Sequence, residues 1–519
     1  MPATRPFRAS AVALTAAAVL LSGCTTTDDA GGGASPSPSD PGFEPTAGLE
    51  PIPDDIPEEM LSYYEQELSW RDCGVAGFQC ATLTAPLDYG AIDDSEDLQL
   101  TVSRKRATGP RDERIGALLV NPGGPGASAI DYLQGHAGVG FPEPVRARYD
   151  MVAMDPRGTG RSEPVECLSG PQMDAFTQVD RTPDDEDEEE ALVEALTEFG
   201  EGCRASSGRL LEHISTEDSA RDLDLLRAVL GDTQLHYYGA SYGTQLGATY
   251  ADLFPERSGR LVLDAAVDPR LSTLERDREQ AAGFETAFQS FLADCGNQSD
   301  CPLDGAADLQ ELFEELDARP LQTGEDRPLT ESLATTGVAQ ALYSPMLWAP
   351  LRDALNAAAD GDGAPLLALA DSYHDREPAG SYGTIMFAFP AISCLDAPAA
   401  LEDPDAVREE LASFEEASPT FGRDFAWATL MCAAWPVEAK GTPAPVEAAG
   451  AADILVVGTT RDPATPYGWS EALAEQLESG VLLTYDGDGH GAYGENACVD
   501  EVVGAYLLDG VSPEEGARC

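Results

Sequence analysis

The chain has 519 residues, 31 basic and 92 acidic, for a formal net charge of −61. A surface this acidic repels nucleic acid and anionic headgroups, which argues against either as a partner, and it favours ligands that carry a free ammonium. Beyond its polar start the chain still has about 470 residues, enough for one large domain with an insertion or for two domains.

Residues 1–23 read as a lipoprotein signal peptide. Arg5 and Arg8 make a basic start, and the apolar run at 9–20 is too short for a membrane span. The run ends Leu21-Ser22-Gly23-Cys24, which resembles the bacterial lipobox, so Cys24 is the expected lipidation site. Residues 24–50, rich in Thr, Gly, Ser, Pro and Asp, read as a disordered tether. The expected location is extracytoplasmic, lipid-anchored to the outer face of the cell membrane or released after secretion.

From there short apolar runs alternate with helical patterns, which predicts an α/β fold around a mostly parallel sheet. Residues 79–87 and 98–105 alternate apolar and polar and suit antiparallel edge strands. Buried strands are predicted at 115–121, 149–155, 235–238, 260–264, 453–458 and 481–485, and helices at 219–230, 244–254, 469–477 and 498–508, with Thr216 as an N-cap. The acidic run 184–190 reads as a solvated loop or a helix start. Between 270 and 445 the strand rhythm stops and the pattern turns helical. The expected organisation is a core at 51–269 and 446–519, interrupted by a helical cap at 270–445.

Gly239-Ala240-Ser241-Tyr242-Gly243 sits between a predicted strand and a predicted helix. Gly-x-Ser-x-Gly in that context is the nucleophile elbow of the α/β-hydrolases, and it makes Ser241 the candidate nucleophile. A serine hydroxyl needs a base and an orienting carboxylate, which follow in this fold in the order acid, then histidine. His490, in Gly487-Asp488-Gly489-His490-Gly491 just past the last strand, is the candidate base; His374, the other histidine after Ser241, falls in the cap. Asp462, after the strand at 454–457 and 28 residues before His490, is the candidate acid, with Asp264 as runner-up. The oxyanion donors are expected to be the amides of Tyr242 and Gly124, the latter in Asn121-Pro122-Gly123-Gly124-Pro125-Gly126.

Eleven cysteines less Cys24 leave ten, an even number suited to disulfides in an exported chain. Roughly 945 pairings exist by the double-factorial count. Adjacent pairing is the simplest expectation: Cys73 with Cys80, Cys167 with Cys203, Cys295 with Cys301, Cys394 with Cys432, and Cys498 with Cys519. No C-x-x-C occurs and there are five histidines, so no metal and no cofactor is expected.

The motifs at 121–126 and 239–243, Asp155-Pro156-Arg157-Gly158-Thr159-Gly160-Arg161-Ser162, Asp264-Ala265-Ala266-Val267-Asp268-Pro269 and the Asp462/His490 ending together resemble the secreted tripeptidyl aminopeptidases of actinobacteria, relatives of the proline iminopeptidases. The proline iminopeptidases have His before Gly-Gly-Pro-Gly, whereas Asn121-Pro122 stands here. The resemblance implies a serine exopeptidase that acts on peptides with a free N-terminus. Such an enzyme must bind an ammonium, for which Asp268 and Asp396 are the candidates. Tyr343, Trp348, Phe387 and Phe389 are candidate pocket aromatics. Other readings are a carboxylesterase or lipase on the same scaffold, and a catalytically silent surface binding protein.

Overall fold

The computed structural model describes residues 50–53, 56–92 and 96–519. The expected signal peptide, Cys24 and nearly all of the expected tether lie outside the described residues.

Nine strands form one sheet: β1 Arg71–Asp72, β2 Gln79–Pro86, β3 Asp97–Lys105, β4 Gly116–Asn121, β5 Tyr149–Met154, β6 Leu235–Ala240, β7 Ser258–Asp264, β8 Ile454–Arg461 and β9 Gly480–Asp488. Their spatial order is β1-β2-β3-β5-β4-β6-β7-β8-β9. The pairings among β1, β2, β3 and β5 are antiparallel, and all the others are parallel. This is the α/β-hydrolase arrangement.

The inner parallel strands are largely apolar because both faces of the sheet are covered. All six residues of β4 are buried. Ala117 and Leu119 enter one face cluster, and Leu118 and Val120 enter the other. In β8, Ile454 and Val456 oppose Leu455 and Val457 in the same way. One register slip would turn every one of these side chains to the wrong face, so the pattern fixes the pairing.

One detail differs from the sequence expectations, and one decides between the two readings of the acidic run in favour of a helix start. Ser215, not Thr216, caps the Thr216–Val229 helix, because its hydroxyl reaches the Asp218 amide while Thr216 is already helical. The acidic run opens a full helix, Glu186–Ser207, capped by Asp185. Four acids in its first turn suit the positive end of the helix dipole.

Between β7 and β8 the regular structure is helical apart from two isolated bridges, Leu321 with Leu329 and Arg376 with Tyr382, and residues 432–453 are irregular. This segment has its own apolar cluster, in which Phe288, Phe291, Leu333 and Leu351 are fully enclosed. Disulfides join Cys73–Cys80, Cys167–Cys203, Cys295–Cys301, Cys394–Cys432 and Cys498–Cys519. Among the described residues, no helix is long and apolar enough to cross a membrane.

Candidate active site

Ser241 lies between β6 and the Tyr242–Leu253 helix with φ 57° and ψ −128°, a conformation that an L-residue adopts only under constraint. The flanking glycines explain how it is held. A Cβ on Gly239 would stand 2.3 Å from the Gly243 carbonyl oxygen, and one on Gly243 would stand 2.7 Å from that of Asn121. The turn therefore closes only with bare backbone on both sides.

The β4 loop presses on this elbow. Gly123 has φ 96°, and a Cβ there would meet the Ala240 carbonyl, the Ser241 Cβ and the Tyr242 nitrogen, all within 3 Å. Asn121 shapes the loop from inside, since its Oδ1 accepts the Gly123 amide at 2.8 Å. That bond commits the Gly123 donor. At the elbow itself, Tyr242 is the first residue of its helix, and first-turn amides have no intrahelical acceptor.

His490 follows β9 in a loop where Gly489 and Gly491 both have positive φ. Its Nδ1 lies 2.8 and 3.0 Å from the two Asp462 carboxylate oxygens. Asp462 is 2% exposed and also accepts the amides of Ala464 and Thr465, each at 2.9 Å. The Thr465 hydroxyl stands 3.4 Å from the same imidazole nitrogen. Burial pushes the imidazolium pKa down, but the Asp462 charge and hydrogen bond, aided by Asp264, outweigh it and hold His490 above its ordinary value.

Asp264 is fully buried at the end of β7 and is not against the imidazole nitrogen. Its carbonyl accepts the Ser241 amide at 3.0 Å. Its carboxylate accepts the amides of Ala492 and Tyr493 and the Tyr238 hydroxyl. The runner-up acid thus anchors the histidine loop, and Asp462 holds the imidazole. Asp486 and Asp488 both pair with Arg461.

The two expected ammonium ligands are already engaged. Asp268 is 5% exposed, forms a two-point ion pair with Arg270 and accepts Gln476. Asp396, half-buried at the end of the Ile385–Asp396 helix, accepts both the amide and the hydroxyl of Thr216.

The helical segment between β7 and β8 meets His490 and the β4 loop at points that composition alone did not reveal. The Tyr343 carbonyl accepts the His490 amide at 2.9 Å, and its ring stands edge-on to the imidazole at 5.4 Å. Ala388 and Phe389 cover Gly126, where a Cβ would lie 2.8 Å from the Ala388 methyl. Of the expected pocket aromatics, Phe387 is buried core, whereas Phe389 is 47% exposed.

A family model described as TAP-like protein matches residues 418–519, the stretch that carries Asp462 and His490. Serine protease Hip1 of Mycobacterium tuberculosis is 38% identical over 484 residues, covering 88% of this chain and 91% of that protein. Tripeptidyl aminopeptidase of Streptomyces coelicolor is 32% identical over 479 residues, covering 87% and 86%. The chain belongs to the tripeptidyl aminopeptidase family. Like other members it is an α/β-hydrolase enzyme, a serine peptidase by its relatives. Within the same range of similarity stands carboxylesterase B of Mycobacterium tuberculosis, 37% identical over 474 residues and covering 87% of this chain and 89% of that protein. The tripeptidyl aminopeptidase scaffold thus has relatives named for ester as well as for peptide chemistry.

Proposed function

We propose that this chain is an extracytoplasmic serine exopeptidase that releases short units, tripeptides, from the free N-terminus of peptides. The observation that carries the proposal is the His490 imidazole held on Asp462 at 2.8 Å, in a loop fixed by the same Asp264 that binds the Ser241 amide. In the cycle, His490 takes the Ser241 proton as the hydroxyl attacks the scissile carbonyl. Asp462 keeps Nδ1 protonated and stabilises the imidazolium. The amides of Tyr242 and Gly124 receive the oxyanion. His490 then gives its proton to the leaving amine, and water repeats the sequence on the acyl-enzyme.

The name of the Streptomyces relative supports tripeptide release, and that of Hip1 supports proteolysis. Five disulfides support an oxidising compartment outside the cytoplasm. The lipobox at Cys24 adds a membrane anchor to that reading.

A carboxylesterase is the second reading, favoured by carboxylesterase B. The same triad cleaves esters, so substrate chemistry decides between them. The test is a panel of arylamides of free-amine tripeptides, their N-blocked forms, single amino acids and short acyl esters. Turnover confined to free-amine tripeptide amides is the expected result; ester turnover without amide turnover overturns it. Ser241→Ala is expected to lower kcat by at least ~10³-fold.

A further inference from the structure

The Ile385–Asp396 helix of the cap ends beside the nucleophile elbow. Its last residue, Asp396, accepts the Thr216 amide at 2.9 Å on Oδ1 and the Thr216 hydroxyl on Oδ2. That hydroxyl oxygen lies 2.6 Å from the Tyr242 phenol oxygen. Tyr242 is 6% exposed and follows Ser241 directly. A three-residue chain of hydrogen bonds therefore runs from the cap, through the first residue of a core helix, to the residue whose amide faces the oxyanion.

The chain has a direction. Burial pushes Asp396 up to about 6, against the two Thr216 donors and Arg276, with Asp218 adding to the rise. At neutral pH the carboxylate is ionised and can only accept. The Thr216 proton must then point to Asp396, and the Tyr242 hydroxyl must donate to Thr216. Arg276 faces the carboxylate from the Thr273–Cys295 helix, and Asp218 from the Thr216–Val229 helix. The Lys440 ammonium, on the strand of chain that binds the Leu395 carbonyl, is held by the Glu212 carbonyl instead. The Cys394–Cys432 disulfide fixes the end of the helix two residues before Asp396.

We propose that Asp396 is a positioning residue for the oxyanion site: through Thr216 it fixes the Tyr242 side chain, and with it the Tyr242 backbone amide against Ser241. The proposal rests on the reading of Ser241 as nucleophile. It gives Asp396 a different task from binding the substrate ammonium. It also makes a correctly seated cap a condition for chemistry, since the cap supplies the terminal acceptor. A misplaced amide weakens oxyanion stabilisation, which acts in the transition state and leaves ground-state binding alone.

The test uses the full chain and two reagents: a fluorophosphonate, which phosphonylates the nucleophile with loss of fluoride, places its P=O in the oxyanion site and carries no amine, and a free-amine tripeptide arylamide. Asp396→Ala is expected to slow fluorophosphonate labelling and lower kcat, each at least about 10-fold, with KM within about twofold of wild type. Thr216→Val, close in shape, is expected to do the same and carries the test if Asp396→Ala does not fold. Asp396→Asn, which still accepts the Thr216 amide, is expected to recover part of the loss. Adding Asp396→Ala to Tyr242→Phe is expected to cost little beyond the single change, because both cut one chain. Wild-type labelling rates in Asp396→Ala with a raised KM for the free-amine substrate overturn the proposal and make Asp396 an ammonium ligand. Wild-type labelling in Thr216→Val overturns it as well. Labelling of wild type at a residue other than Ser241 overturns the nucleophile assignment and the proposal with it.

Discussion

The backbone amide of Ser241 donates to the carbonyl oxygen of Asp264 at 3.0 Å. The carboxylate of the same residue receives Ala492 and Tyr493, two and three residues past His490. One buried residue at the end of β7 thus ties the elbow, through its backbone, to the histidine loop, through its side chain. Burial raises the Asp264 pKa, while the Tyr493 and Ala492 amides and the Tyr238 hydroxyl act against that rise.

Asp264→Asn tests this tie. The amide side chain can put its oxygen where Oδ2 accepts Ala492, Tyr493 and Tyr238, but its NH₂ then replaces Oδ1 against the Ala492 amide, donor facing donor. The expected cost is about 1–3 kcal/mol of stability. Because the displaced loop carries His490, kcat is expected to fall at least ~10-fold as well. Thermal denaturation and steady-state kinetics on one preparation check both. A variant that is less stable yet fully active shows that Asp264 supports the fold alone.

Asp462→Asn is expected to remove about 10³–10⁴-fold from kcat, because the wrong tautomer of His490 then faces Ser241. The pH profile carries the sharper signature. The base must be neutral, so kcat/KM falls as pH drops through the His490 pKa, which Asp462 holds above the ordinary histidine value. Removing that charge moves the acid limb to lower pH. A limb unmoved in Asp462→Asn would mean that another group sets it.

Gly239→Ala and Gly243→Ala place a methyl 2.3 Å and 2.7 Å from backbone carbonyl oxygens that cannot rotate away. Each is expected to cost about 1–3 kcal/mol or more and to remove most activity by shifting Ser241. Circular dichroism melts with fluorophosphonate labelling check it; Gly504→Ala, in the Ala497–Asp509 helix with open space around it, gives the reference for glycine replacement remote from the elbow.

Much of this was readable from the chain. Continuous apolar runs located the buried strands because both faces of the sheet are covered. Turn chemistry located the elbow because Gly239 and Gly243 have no alternative. Asp462 was readable as the partner of His490 from its place after β8, and the two lie 2.8 Å apart. What stayed hidden was side-chain commitment across distant segments. Nothing near Asp268 in the sequence distinguishes a carboxylate paired with Arg270 and Gln476 from one open to ligand. The Tyr343 carbonyl on His490 joins residues 147 apart and uses backbone, which has no sequence signature. The Glu186–Ser207 helix did leave a signal, since Leu192, Leu196, Phe199 and Cys203 recur on one face after an acidic first turn. The acidic run itself obscured it by reading equally well as a solvated loop.

Glu331, the first residue of the Glu331–Leu342 helix, offers a test of stability against pH. Burial pushes it up to about 7, opposed by the Thr182 hydroxyl and reinforced by Asp180, Asp317 and Asp424. In the unfolded chain it titrates at the ordinary glutamate value near 4.3. Between those values the folded chain holds a proton that the unfolded chain releases. The stability from this group is therefore complete below about pH 4 and is lost as pH rises through about 7. Glu331→Gln keeps an oxygen to accept Thr182 and removes the charge. It is expected to raise Tm at pH 8 by about 1–2 °C and to change it less at pH 5. Scanning calorimetry at the two pH values checks it, and an equal shift at both would show that charge at residue 331 is not the cause.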